Sequence, residues 1–177
     1  SLILIIIIIR LFGGLQLLEW MLLDTVLRMR PTETIEEKVI IVGINEKDIQ
    51  KIGRYPVPDR EIAALIKRIQ SYQPTVIGLD IFKNVSVEPG SKELLKVFKE
   101  SKNIIGVEKF FKPDRIAPPP SLSPDKVGFV DIIADKDGKY RRYLLLTYDS
   151  NSMNNVKFSL ALHLAETYLS SRNINIE

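Results

Sequence analysis

Apolar residues follow different rhythms along this chain, and each rhythm predicts a different kind of element. Leu2 to Ile9 is an unbroken aliphatic run, continued by Leu11, Phe12, Leu15, Leu17, Leu18, Trp20 and Met21 to Leu23. About 20 predominantly apolar residues suffice to cross a bilayer. Arg10, Gln16, Glu19 and Asp24 interrupt the run. The stretch therefore reads as the outer part of a transmembrane helix that continues into an amphipathic juxtamembrane helix. Trp20, close to the first charges, suits a membrane interface. Two rival readings exist. A cleaved signal peptide needs a small-residue cleavage site, and the apolar run continues past its only small pair, Gly13-Gly14. A buried core helix is the other. Arg28 and Arg30 follow the span and oppose the positive-inside tendency if that side is extracytoplasmic. Arg30-Pro31 ends the helix, because the residue before proline is pushed out of the α region.

From Val39 the apolar residues come in short blocks. Val39–Ile44 is β-branched and almost wholly apolar, which predicts a strand buried on both faces, as in a parallel sheet. Asn45, with Asp48 bonding back, caps a helix over Glu46–Ile52 that Gly53 ends. The loop Arg54–Pro58 carries two prolines and is extended. Asp59 caps the next helix, whose Ile62, Leu65, Ile66, Ile69 and Tyr72 share one face. Val76–Phe82 is a second buried strand, completing a right-handed crossover unit.

The pattern repeats more loosely. Ser91 caps a helix to about Lys99 with Leu94, Val97 and Phe98 inward, and Ile104–Val107 is the next strand. Ala117–Pro120 is a polyproline-like connector. Asp137-Gly138 predicts a hairpin joining strands Val127–Ile133 and Tyr140–Tyr148. The final helix is expected over Val156–Ser171, with Phe158, Leu162, Ala165 and Leu169 on one side. The fold class is α/β: a parallel or mixed sheet flanked by helices, sandwich-like in three layers. Residues 1–30 form the transmembrane and juxtamembrane helix, and residues 31–177 the domain behind it.

Composition removes several functions. The chain has 177 residues, 27% charged and 45% apolar, a foldable balance for one domain plus an appendage. Its 25 basic and 22 acidic residues are dispersed, with no basic block to track phosphates, so nucleic acid is not an expected partner. The absence of cysteine excludes disulfides, thiolate nucleophiles and zinc-thiolate sites. The chain opens on Ser1 with no initiator Met, and is read as a piece of something longer.

Candidate chemistry is sparse. Ligands of open α/β sheets sit beyond the carboxyl ends of the strands, where Asn45, Glu46 and Asp80 arrive. Glu46 and Asp80 could hold magnesium through oxygen, which motivates an alternative: a magnesium-dependent α/β hydrolase. Equally, Glu46 favours a helix dipole in the first turn, and Asp80 braces a loop. Asp135–Gly138 resembles a calcium loop, but Ile133 and Leu144 would occupy its terminal ligand positions, so it reads as a turn. His163 is the only histidine, placed on a solvated face beside Ser159, Thr167 and Ser170. No phosphate-cradling glycine motif exists. Arg54 and Arg60 are candidate anion binders, and with Asp80 they make the ligand-binding set. Arg141 and Arg142 are expected on opposite faces of a strand. No catalytic residue, metal or cofactor is expected.

The stretch Val39–Phe82 resembles the CHASE-two family, the second class of extracellular sensory domains associated with cyclases and histidine kinases. The resemblance rests on Gly43-Ile-Asn-Glu46, on Gly53-Arg-Tyr-Pro56 with Pro58, and on Gly78-Leu-Asp-Ile-Phe82. Gly128-Phe-Val-Asp131, Asp135-Lys-Asp-Gly138, Tyr140-Arg-Arg142 and Ser159-Leu-Ala-Leu162 look like the family's later landmarks. Leu18-Glu19 through Arg28-Met-Arg-Pro31 is similar to its helix leading out of the membrane. Asn45 stands where the family usually has Asp, and the chain stops at Glu177, before the family's later strands and membrane return.

The resemblance implies an extracytoplasmic (periplasmic) sensory domain of a bacterial transmembrane receptor, not itself an enzyme. It would relay a signal to a cytoplasmic cyclase, kinase or diguanylate cyclase outside this chain, as in cyanobacterial cyclase-linked members. Expected partners are the membrane, a small-molecule or protein stimulus, and a second copy in a homodimer. A ligand-free dimerisation module is a further alternative.

Overall fold

The structure, a computed structural model, describes residues 2–34, 36–149 and 152–174. Two compact units divide the chain, residues 1–43 and 44–177.

The first unit is built on helices α1 (Leu2–Leu11) and α2 (Gln16–Arg28). They do not run on into each other. Gly13 takes the left-handed conformation, φ 76°, its N–H donating to the Arg10 carbonyl at 2.9 Å. The Gly14 N–H reaches back to the Ile9 carbonyl at 2.8 Å, completing the glycine stop of a Schellman motif. A Cβ on Gly14 would lie 2.7 Å from the Ile9 Cγ2, so the turn tolerates little there. The helices meet at 86°, with Arg10 Nε and Glu19 Oε1 paired at 2.8 Å across the bend. Among the described residues no single helix is long and apolar enough to cross a membrane, but the bent pair is so by length and composition. The amphipathic character expected of the second helix is absent. At 100° per residue, exposed Leu17, Leu18, Met21, Val26 and Leu27 fall around its whole circumference.

The strand expected at Val39–Ile44 does not form. Val39, Ile40 and Ile41 are 69%, 83% and 90% exposed and carry no ladder. A strand exists through its neighbour, and among the described residues of 1–43 no other strand is there to pair with it.

The second unit opens with α3 (Glu46–Ile52). Asn45 Oδ1 accepts from the N–H groups of Lys47 (2.9 Å) and Asp48 (3.2 Å), and Asp48 Oδ2 accepts from the Asn45 N–H at 2.9 Å. This is a complete capping box, closed at the far end by left-handed Gly53. Helix α4 (Asp59–Gln70) follows, then β1 (Ile77–Gly78), α5 (Ser91–Glu100) and β2 (Ile104–Glu108). A 3-10 turn, Pro124–Lys126, leads into β3 (Val127–Phe129). Next come β4 (Leu146–Asp149), β5 (Ser152–Phe158) and α6 (Leu160–Ser170).

Strands β1, β2 and β3 form a parallel sheet in that order, with Ile77 opposite Ile104 and Gly106 opposite Val127. Strands β4 and β5 pair antiparallel, and a bridge from Phe129 to Ser159 joins β3 to the end of β5. Ile62, Ala63 and Ile66 of α4 and Leu94, Val97 and Phe98 of α5 pack with Ile77, Leu79 and Ile104. Side chains alternate along a strand, so Gly78 faces the other way. There a Cβ would lie 2.8 Å from Leu164 of α6. Gly128 meets the same helix still more closely, 2.6 Å from the Leu160 Cα. The glycines let α6 lie directly on the sheet. A mixed α/β fold is thus shown.

Several expected boundaries move. Pro58, not Asp59, is the N-cap of α4, and Gly90 replaces Ser91 as that of α5. Tyr72 lies beyond the end of α4 and is exposed. The ladder of β1 covers only two residues of the predicted Val76–Phe82. Val127–Ile133 and Tyr140–Tyr148 do not pair with each other: β3 pairs with β2, and β4 with β5. The Asp135–Gly138 turn is nonetheless present, closed by Asp135 N–H to the Lys139 carbonyl at 2.9 Å. Val156–Phe158 is strand, not helix, and α6 starts only after Ser159, whose hydroxyl accepts from the Leu162 N–H at 3.2 Å.

Candidate functional site

Three parallel strands ending side by side put the residues that follow them on one rim, where α/β sheets hold ligands. Here β1 leads through Leu79 to Asp80, β2 ends on Glu108, and β3 leads through Val130 to Asp131. Glu108 is 1% exposed, and its Oε1 meets the Lys157 ammonium from β5 at 2.6 Å. That ammonium also lies 5.7 Å from the Phe110 ring centre. Asp131 is 5% exposed and spends both oxygens on the backbone, accepting from the N–H groups of Phe110 (2.6 Å) and Phe111 (3.0 Å). Lys109 and Ile116 exchange two backbone hydrogen bonds, closing the loop from Phe110 to Arg115. Phe111 packs edge-on against Phe110 and Phe129, with centroids 5.4 and 6.2 Å away. The Arg115 guanidinium lies 5.4 Å from the Phe110 ring centre.

Beside this loop runs a groove of about 320 Å³. It is lined by Lys109, Phe111, Lys112 and Asp114 of the loop, and by Asp131, Ile132 and Ile133 after β3. Nearby, burial pushes the Tyr143 hydroxyl above its usual range, and the charges of Asp80 and Asp131 push it further. A second groove of about 360 Å³ lies at the opposite end of the sheet, between the last turns of α4 and α5. Two of its polar residues are already engaged: Gln70 donates to Asn103 Oδ1, and Asn103 donates to the Pro74 carbonyl, each at 2.8 Å.

Asp80 belongs to the rim and is exposed. Arg54 is exposed in the loop after α3, and Arg60 is exposed on the first turn of α4. No hydrogen bond or ion pair among the described residues joins these three. Glu46 sits exposed in the first turn of α3. Among the described residues no group of three or more His, Asp or Glu could hold a metal ion.

Arg141 and Arg142 do not diverge on a strand; both reach Asp135. Arg141 grips Asp137 as well, at 2.9 and 2.8 Å, and holds that carboxyl down to about 2. His163 is half-buried, not solvated, 6.1 Å from the Phe158 ring. Glu108, Asp131 and Lys157 escaped the sequence reading. A lone acid closing an apolar strand was the available signal for Glu108, while Lys157 was hidden inside a misassigned helix.

No curated protein and no solved structure gives a significant match. The family model described as CHASE2 domain matches residues 1–177, the whole chain. CHASE2 is a sensory, non-catalytic domain family of signalling receptors. The chain belongs to the CHASE2 domain family.

Proposed function

We propose that this chain is the extracytoplasmic, periplasmic sensory domain of a bacterial transmembrane receptor. Residues 1–30 anchor it in the cell membrane. Residues 31–177 sense a stimulus as a homodimer and pass the signal to a cytoplasmic cyclase, kinase or diguanylate cyclase. The observation that carries this reading is the family match over the whole chain. The exposed aliphatics of α1, Ile3 to Ile9, and the exposed Leu17, Leu18, Met21, Leu22, Val26 and Leu27 of α2 support the anchor, since they suit lipid better than water. Sensing itself is a population shift toward the arrangement that binds the stimulus better. Arg54, Arg60 and Asp80 remain proposed ligand contacts, Asp80 with the support of its place on the rim.

The chain has no cysteine, which makes single-cysteine topology mapping clean. Ser123→Cys, at an exposed position, introduces one thiol into this cysteine-free chain, expressed in bacteria. A membrane-impermeant maleimide is expected to label it in intact cells, with the protein in the carbonate-washed membrane fraction. Labelling only after lysis overturns the extracytoplasmic placement, and recovery in the soluble fraction overturns the anchor.

A further inference from the structure

We propose that the groove beside the Phe110–Arg115 loop is the stimulus site, and that it takes a small organic carboxylate: one anionic head on an apolar body. This rests on the sensory reading above and gives that reading a ligand class.

Unspent polar capacity decides the head group. Both oxygens of Asp131 already accept from the N–H groups of Phe110 and Phe111, so the most buried acid of the groove has less left to offer a ligand's donor. Asp114 faces Lys109 at 3.4 Å in a long, solvent-exposed pair of the kind that contributes little. Lys112 has no ion-pair partner among the described residues and lines the groove. The charge left open is therefore positive, and an ammonium–carboxylate hydrogen bond is stronger than one between neutral groups.

Phosphate fits less well. Anion sites for phosphate rely on several free backbone N–H groups. Here the N–H groups of Phe110 and Phe111 are taken by Asp131, and a bare phosphate leaves Phe111, Ile132 and Ile133 uncovered. Two flexible lysines suit one carboxylate. The remaining wall is apolar: Phe111, with Ile132 and Ile133 each more than half exposed. Such side chains leave water only when a ligand covers them. The volume of about 320 Å³ is at the low end for ligand pockets, which points to a small molecule and not a peptide.

The loop also supplies a route for the signal. A carboxylate drawn to Lys112 loads a segment whose backbone is held by Asp131, directly after β3.

The test uses the full chain in detergent micelles, with benzoate and hexanoate as probes and benzamide and inorganic phosphate as controls. Both carboxylates are expected to raise the melting temperature saturably, as mass action requires, and both controls to leave it unchanged. Lys112→Met is expected to weaken carboxylate affinity by about tenfold, and Lys112→Arg to keep most of it. Lys112 is exposed, so neither change threatens the fold. No saturable response to either carboxylate, an equal response to benzamide, or an undiminished response in Lys112→Met overturns the proposal. If a wider metabolite set stabilises wild type and Lys112→Met alike, the groove falls and the sensory reading stands. Maleimide labelling only after lysis overturns the receptor reading while leaving measured carboxylate binding intact.

Discussion

Glu108 ends an otherwise apolar strand, and the ammonium of Lys157 is its one charged partner in the ion pairs of the described residues. Taking both charges out of water is costly, and removing one partner leaves the other uncompensated. Lys157→Met is therefore expected to destabilise the domain by about 3–5 kcal/mol in urea unfolding. The double variant Glu108→Leu/Lys157→Met should recover most of that loss; additive losses would mean that the pair is not coupled. His163 supplies a pH dependence. Burial lowers its pKa, against the opposing charges of Glu166 on its own helix and Asp125 on the 3-10 turn. Its Nδ1 has no hydrogen-bond partner among the described residues. The fold thus prefers neutral imidazole. Stability is full above about pH 6.5, the unfolded value, and falls as pH drops through the lower folded value. His163→Phe should flatten the stability profile between pH 7 and 5, and an unchanged slope would refute the assignment. At this scale the Asn45–Asp48 box was legible because its partners are three residues apart. Asp59 was not: it is buried and pairs with Lys83, across a loop whose path no local pattern reveals.

Elements were legible where their determinants are local. Helix α5 kept its inward Leu94, Val97 and Phe98, and β2 kept its apolar run. Pairing partners were the weak point. Val39–Ile44 has the composition of a central strand and yet no neighbour in its unit, while β4 took β5 instead of the expected hairpin partner. Val156–Phe158 was read as helix because its apolar spacing continues into α6. The Ser159 cap shows where the helix starts. Close approach of α6 to the sheet rests on glycine. A Cβ at position 128 would press on the Leu160 backbone, which cannot rotate away as a side chain can. Gly128→Ala should cost about 1–3 kcal/mol and weaken hydrogen-exchange protection in α6 and β3 together. A neutral substitution would show that α6 is not seated by this contact.

For the whole molecule, the α/β class and the family resemblance were open to sequence reading because ordered motifs run from Leu18 to Leu162. The rim was not. It gathers Asp80, Glu108, Asp131, Tyr143 and Lys157, and only the parallel order of three strands brings such distant positions to one edge. The stop at Gly13-Gly14 was equally unread, since the glycines looked like a minor interruption of an apolar run. Its consequence concerns mechanics. A straight rod passes a push or a twist unchanged from end to end. An elbow of 86° turns an axial push on one arm into a swing of the other, and rotation of one arm sweeps its neighbour through a cone. Arg10 and Glu19 meet across the joint as an exposed pair of the kind that contributes little, so the angle is set by the glycine stop itself.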